Sequence, residues 1–462
     1  MIMDDWRVIE ARLGDVFSAI KDAGGRPLIV GGYVRDHLRG IPSKDIDVEI
    51  FGLNATGLHA VLGQFGDVIA IGRAFGVFRL KDIDVDFSLP RLDNKVAPGH
   101  RGFEVTFDPN LDFSEAARRR DFTINSMGWD PLGHTLLDPH GGQADLEANV
   151  LRVTNREHFA EDPLRALRAA QFIARFELKP SDELVTLCTT LDLSELPAER
   201  IGEEFRKLLL KGVRPSLGLR FLHRCGLLHF FPELGALVGV PQDPIRHPEG
   251  DVWAHTLLTI DEAASRRQEA SAHPLMLAAL CHDLGKPATT EVDALKGVSS
   301  PAHDAAGVAC ASTFLARLAA SSQLTNQVGT LVASHLAPAL LVEQRAGAKA
   351  YCRLARKLET ANVELGTLLD LASADHLGRS TADALARRIP WLSTFQAQAA
   401  AALVDNRAPA PVVSGRHLIA RGMKPGPEFR RILDTCLAIQ DETDLTDAEA
   451  ILEQVLNSSR EG

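Results

Sequence analysis

Paired cysteines, long apolar runs and low-complexity tracts are all missing from this sequence. The six cysteines (Cys188, Cys225, Cys281, Cys310, Cys352 and Cys436) are scattered and never spaced as C-x-x-C. That pattern argues against a zinc or dithiol motif and suits small buried thiols in a reducing compartment better than a disulfide framework. No stretch reaches the roughly 18 unbroken apolar residues of a membrane helix. The opening "MIMDDWRVIEARLGDVFSAI" mixes charges with apolar residues at helical spacing, unlike the apolar core of a signal peptide. A cytoplasmic protein without a membrane partner is expected. Positive charge is also in deficit, with 50 Lys and Arg against 61 Asp and Glu and a net charge of -11. The deficit counts against a nucleic-acid partner, because phosphate contacts need cations. Total charge does not fix location, however: Arg118, Arg119 and Arg120 form one basic run, and Arg200, Arg206, Lys207, Lys211 and Arg214 a looser one.

At 462 residues, 45% of them hydrophobic, the chain exceeds one ordinary core and predicts two to four domains. Residues 1–150 alternate strand patterns (27–30, 46–51, 75–80 and 83–87) with helices and glycine turns. Beyond Glu157 the strand signal fades. Windows such as "EDPLRALRAAQFIARF" and "AERIGEEFRKLLLKG" carry apolar residues at three-to-four spacing, and Gly212 supplies a helix stop. Punctuation rich in proline and glycine falls at 239–251 and 405–415. The reading is an α+β head with a mixed sheet, followed by all-α segments, divided as 1–150, 151–245, 246–385 and 386–462.

The stretch "VGGYVRDHLRGIPSKDIDVEIFG" (30–52) concentrates the chemistry. Residues two apart on a strand share a face, so Asp45 and Asp47 point together while Ile46 and Val48 point to the core. Two such carboxylates repel unless a cation sits between them, and hard oxygen ligands suit Mg²⁺ carried by a nucleoside triphosphate. Gly31 and Gly32, between a strand and a helix starting near Tyr33 and stopping at Gly40, are expected to offer bare backbone N–H groups to phosphate. A further strand, "KDIDVDFSLPR", adds Asp84 and Asp86; two-metal phosphoryl transfer draws carboxylates from more than one strand.

In order, "GGYVRD", "DIDVE", "RRRDFTINSM", "EDPLRALRAAQF" and "AERIGEEF" resemble the motifs of the class II tRNA nucleotidyltransferase and bacterial poly(A) polymerase family, most closely its CCA-adding members. The resemblance implies that Asp45, Asp47 and Asp86, the last preferred to Asp84, are catalytic and hold Mg²⁺. It implies that Gly31, Gly32 and Arg35 approach the triphosphate, and that Arg120, Asp121 and Asn125 contact nucleotide sugar and phosphates. The partners implied are tRNA, CTP and ATP. Glu161, Asp162 and Arg165 fall where the family keeps an E-D-x-x-R helix. Three residues apart, Asp162 and Arg165 are expected on one helix face. A carboxylate only accepts hydrogen bonds and a guanidinium only donates them, which matches the pairing edges of C and A and mismatches U and G. Arg165 with Arg168 alternatively offers phosphate contacts. Residues 89–117, with Pro98, Gly99 and Gly102, resemble the family's flexible loop and favour full CCA addition over CC-only addition.

"HPEGDVWAHTLLTIDEAA" and "LMLAALCHDLGKPA" resemble the opening of an HD-type phosphohydrolase domain. His255, His282, Asp283 and Asp375 give its H...HD...D order, and His303 and His335 could complete a second metal position. Mixed imidazole and carboxylate ligands suit a divalent transition metal that activates water. Cys281 and Lys286 read as a packed thiol and a solvated helix end. The segment "GMKPGPEFRRILD" is read as a tRNA contact or as helix packing. The alternatives to CCA addition are a poly(A) polymerase, an A-only or CC-only enzyme, and an RNA-binding HD phosphohydrolase with an inactive head.

Overall fold

The computed structural model describes residues 4–43, 45–71, 76–81, 83–95, 103–443, 445 and 447–458. The chain divides into two compact units, Met1–Phe230 and Phe231–Gly462, a boundary that falls inside the 151–245 segment.

In the first unit a mixed sheet, seven-stranded among the described residues, runs in the order β3-β4-β5-β2-β1-β8-β9. The strands are β1 (Arg26–Val30), β2 (Ile46–Phe51), β3 (Val68–Ile71), β4 (Val77–Leu80), β5 (Val85–Ser88), β8 (Gly128–Asp130) and β9 (Thr135–Leu137). β1 is a continuous apolar run with Leu28, Ile29 and Val30 all buried, as a central strand covered on both faces requires. β2 and β5 pair in parallel and the other neighbours antiparallel, so Asp47 sits beside Asp86 in register. Ile46, Val48 and Ile50 of β2 enter the core, as do Val85 and Phe87 of β5, and the alternation leaves the two aspartates on the opposite face. Strands β6 (Arg91–Lys95) and β7 (Phe103–Phe107) form a separate antiparallel pair. They flank the tip of the expected loop, whose Pro98, Gly99 and Gly102 lie outside the described residues.

β1 turns into helix Gly32–Leu38 through Gly31, whose φ of 75° and ψ of -130° belong to glycine territory. A Cβ there would come within 2.7 Å of the Arg120 guanidinium. Helix Arg156–Glu161 ends at Asp162, and helix Leu164–Phe176 begins after Pro163. Helix Ala198–Lys211 stops at Gly212, where the sequence reading puts it.

The second unit is helical apart from a short hairpin, Glu291–Asp293 with Gly297–Ser299. Helices Val252–Ala264, Ala272–Cys281, His303–Arg317, Ser322–Val332 and Leu365–Leu377 carry its polar cluster or stand next to it. Toward the C-terminus, Leu418, Ile432, Cys436, Ile451 and Leu452 bury a small apolar core. Met423, Phe429 and Ile432 of "GMKPGPEFRRILD" join it, so that segment packs helices. All six cysteines are free. Among the described residues, no helix is long and apolar enough to cross a membrane.

Candidate functional site

In the first unit a cavity of about 600 Å³ is lined by Gly31, Gly32, Arg35, Asp47, Arg119, Arg120, Asp121, Asn125, Asp162, Arg165, Arg168 and Arg200, among others. Asp47 lines it directly; Asp86 adjoins Asp47 by strand register, and Asp45 immediately precedes β2. Asp86 Oδ1 accepts from Arg79 Nε at 2.7 Å, whereas Asp84 precedes β5 and is largely exposed. Partial desolvation in the cleft and the charges of Asp86, Asp45 and Glu49 raise the pKa of Asp47 against the pull of Arg120. Three carboxylates thus gather at one edge of the cleft, with Arg79 on Asp86 and Arg120 near Asp47.

A hydrogen-bonded chain organises the opposite wall. Arg35 donates through Nε and Nη2 to Asp36 Oδ1 and through Nη1 to Asn125 Oδ1 at 2.5 Å. Asn125 Nδ2 donates to Asp121 Oδ1 at 2.9 Å, and Arg168 Nε to Asp121 Oδ2 at 2.7 Å. Burial alone would raise Asp121, but Arg168 and Asn125 hold it below the usual carboxylate range. Asp121 is therefore a fixed anion that orients Asn125 and Arg168 toward the cavity.

Two sequence expectations change here, and one residue is added. Gly31 N–H is bonded to the Met127 carbonyl at 3.2 Å, so the two glycines do not both offer bare donors. Asp162 is not on a helix: with φ -119° and ψ 100° it stands at the break between two helices, because a residue before proline is driven out of the α region. Asp162 and Arg165 meet across a turn, each already anchored. Asp162 accepts from Leu164 N and Arg200 Nη2, and Arg165 donates to the carbonyls of His158 and Arg119. Finally, Glu49, on the face of β2 that carries Asp47, is fully buried and accepts from Arg119 at 3.1 Å with Arg120 Nη2 at 3.5 Å. The period-two run Asp45, Asp47, Glu49 was the signal for it, and the sequence reading stopped at the second acid.

The second unit gathers its own cluster. His255 (helix Val252–Ala264), His282 and Asp283 (just past Ala272–Cys281), His303, His335 and Asp375 (helix Leu365–Leu377) converge from distant chain positions. His255 Nε2 is 2.9 Å from Asp375 Oδ1 and 4.0 Å from Asp283 Oδ2, which is 3.2 Å from His282 Nε2. Asp283 Oδ1 is 3.4 Å from His303 Nε2, which lies 3.4 Å from His335 Nε2. Burial opposes the charges of Asp283 and Asp375. His282 and Lys286 nevertheless hold Asp283 well below the usual range, and Arg379 and His255 do the same for Asp375. Burial and His282 lower His335 to about 4, leaving it neutral. Lys286, expected to be solvated, is buried with Nζ 2.7 Å from Asp283 Oδ2, while Cys281 is a packed thiol. His247, Glu249 and Arg379 were not anticipated. Arg379 had a signal, four residues after Asp375 on one helical path.

Residues 28–152 match the poly A polymerase head domain, and residues 188–237 match a region described as a probable RNA and SrmB-binding site of polymerase A. The head is thus similar to the poly A polymerase head domain. A "Multifunctional CCA protein" of Methylococcus capsulatus is 40% identical over 273 residues, covering 57% of this chain and 61% of that protein. One from Neisseria meningitidis serogroup A is 39% identical, covering 61% and 65%. The chain thus spans less than two thirds of the length of these relatives. The fold is that of a Bacillus stearothermophilus CCA-adding enzyme solved with CTP, at TM-score 0.66, 20% identity and coverage of 96% of each chain. A Thermotoga maritima CCA-adding enzyme complexed with tRNA aligns at TM-score 0.61 and 18% identity, over 97% and 95%.

Similarity to a poly A polymerase head implies a divalent metal, and the acidic face fits one: its donors are all oxygen, and Asp47 is raised by desolvation in the cleft together with its neighbouring carboxylates. The helical cluster passes a different test. His282 Nε2 and both Asp283 oxygens are sealed from solvent without a well-aligned hydrogen bond, even with Lys286 beside them. Groups His255, His282, Asp283 and Asp283, His303, His335 each bring potential ligand atoms within 4.8 Å of one another and share one carboxylate.

Proposed function

We propose that the protein is a CCA tRNA nucleotidyltransferase that extends a tRNA 3' end with C, C and A from CTP and ATP. The observation that carries this reading is the in-register pair Asp47 and Asp86, with Asp45, opening on an arginine-lined cleft. The 3'-hydroxyl oxygen attacks the α-phosphorus, a P–O bond forms, the bond to the β-phosphate breaks, and pyrophosphate leaves with the charge. Asp45, Asp47 and Asp86 would hold Mg²⁺, which when bound stabilises attacking and leaving oxygens. Gly31 keeps the backbone low enough for Arg120 to lie across it, and Glu49 holds Arg119 and Arg120 at the cleft wall. Arg35, Asn125, Asp121 and Arg168 form one rigid chain facing sugar and phosphates. Asp162 keeps spare lone pairs and Arg165 spare N–H groups, so the anchored pair can meet the acceptor and donor of C or A.

On this reading residues 1–150 are the catalytic head, 151–245 the neck and body, 246–385 an HD domain and 386–462 a tail, in a cytoplasmic enzyme that binds tRNA. Purified protein incubated with trimmed tRNA, CTP and ATP tests it by sequencing of product ends. Ends restored to CCA support it; A runs, a lone A or CC alone would each replace it with the corresponding rival enzyme.

The buried imidazoles of His255, His282, His303 and His335, whose ligand atoms gather around the Asp283 carboxylate, favour a second activity, metal-dependent phosphohydrolysis. His255, His282, Asp283 and Asp375 would hold a divalent transition metal, with His303 and His335 at a second position, and a bound metal supplies an activated water. Lys286 and Arg379 supply fixed positive charge in the wall of a cavity that Asp283, His303, His335 and Asp375 also line. Hydrolysis of a 2',3'-cyclic phosphate by protein loaded with Co²⁺ or Ni²⁺ tests it, and no turnover with any such metal would sink it.

A further inference from the structure

We infer that Glu249 is a positioning residue that builds the His255 arm of the helical cluster into a metal ligand; this rests on the reading of that cluster as a metal centre. Glu249 lies in the loop ahead of helix Val252–Ala264, with its side chain only 2% exposed. Its Oε1 is 2.9 Å from His255 Nδ1 and 2.8 Å from His247 Nδ1, and its Oε2 accepts the Ser380 N–H at 3.0 Å. One buried carboxylate therefore joins three parts of the site: the loop before the helix, the helix bearing His255, and the turn that follows Asp375 and Arg379.

The chemistry of imidazole gives this contact a direction. A carboxylate accepts and never donates, and both ring nitrogens of His255 face one: Nδ1 lies 2.9 Å from Glu249 without an aligned hydrogen bond, and Nε2 is hydrogen-bonded to Asp375 at 2.9 Å. A divalent ion held by Asp375 and Asp283 would take the place of the Nε2 proton, and Glu249 is the acceptor left to hold the proton on Nδ1. A ligand histidine works in that arrangement, because the hydrogen bond on the far nitrogen fixes tautomer and ring angle and raises basicity. The loop is rigid enough to hold Glu249 there. Asp251 caps the helix by accepting from Ala254 N at 2.8 Å and ties the loop back by accepting from Gly239 N. With Ser380 fixed by the same carboxylate, His255 and Asp375 cannot drift apart independently.

The test is Co²⁺ binding to the full chain after chelator treatment, followed by competition with a chromophoric chelator and by the visible absorption of the bound ion. Glu249→Gln should bind Co²⁺ 10- to 100-fold more weakly than wild type and shift the absorption bands, while circular dichroism and Tm stay close to wild type. A purely structural role would lower Tm and leave affinity and bands of the folded fraction unchanged. If Glu249→Gln fails to fold, Glu249→Asp, which keeps the charge but draws the carboxylate back by one methylene, should show the same weakening. Affinity within threefold of wild type and identical bands in a folded variant overturn the inference alone. A wild-type protein that takes up no Co²⁺, Ni²⁺, Mn²⁺ or Zn²⁺ overturns the metal reading, and Glu249 with it.

Discussion

The acidic face of the head and the histidine cluster of the second unit solve the problem of gathered carboxylates in opposite ways. In the head, Asp47 and Asp86 sit on neighbouring strands, with Asp45 just ahead of the first, beside an open cleft, and the pKa of Asp47 is pushed up. In the second unit, Asp283 and Asp375 are buried among imidazoles, Lys286 and Arg379, and both are held well below the usual range. In the first cluster desolvation keeps Asp47 raised against Arg120 while Arg79 pairs with Asp86; the second is neutralised by its own side chains and must give up protons or salt bridges to take a metal. That difference fits a site that a metal nucleotide enters and leaves at each turnover, set against one with a resident ion.

The largest effect should come from emptying the first site. Asp45→Ala or Asp47→Ala should cut nucleotide addition on the order of a thousandfold or more, several kcal/mol of barrier, while tRNA binding in a gel-shift assay persists. Incorporation within tenfold of wild type would remove the metal role from these residues. The matching change in the second unit, His282→Ala with Asp283→Ala, should abolish cyclic-phosphate hydrolysis and metal uptake yet leave end repair within about threefold of wild type, on the same principle that lost metal ligands cost barrier height. Loss of both activities in a folded double variant would show the two sites to be coupled.

How much of this the sequence discloses follows from the range of the forces involved. Period-two and three-to-four spacing are local, so β1, β2, helix Leu164–Phe176 and helix Ala198–Lys211 were legible. The ligand-type residues His255, His282, Asp283 and Asp375 were legible through ordered motifs. Glu249 was not, since its meaning depends on Ser380 and His255 arriving from elsewhere in the chain. Lys286 was misjudged for the same reason: a lysine reads as solvated unless its buried partner is known. Asp162 was misplaced by a local rule that was available, as Pro163 already argued against a continuous helix.

The anchored Asp162 gives an intermediate prediction. Removing its carboxylate by Asp162→Ala strips the acceptor from the amino group of C or A and also frees Arg200. Discrimination against UTP should weaken by about 1–3 kcal/mol, the scale of other base-edge contacts. Competition between single nucleotides on trimmed tRNA measures it, and unchanged selection among the four would make Asp162 purely structural.

The smallest effect bears most directly on the contrast between the two clusters. Because the folded pKa of Asp47 is raised, the folded state binds more protons than the unfolded state over the window between the unfolded value, about 3.9, and the folded one. Stability therefore falls as pH rises through that window, and the ionised carboxylate costs stability at neutral pH. Asp47→Asn should then raise Tm in chelator at pH 7. The gain should stay below about 1 kcal/mol, since solvent screens a charge that faces an open cleft. It should shrink as pH falls and wild-type Asp47 takes up its own proton, and Mg²⁺ should stabilise the wild type and not the variant. Asp283 carries the opposite sign: its lowered pKa means that the ionised form is stabilised by His282 and Lys286, so Asp283→Asn should lower Tm under the same conditions. Thermal unfolding of the three proteins, with and without chelator, reads both signs, and a destabilised Asp47→Asn at pH 7 would mean that Arg120 already neutralises the head's acidic face without a metal.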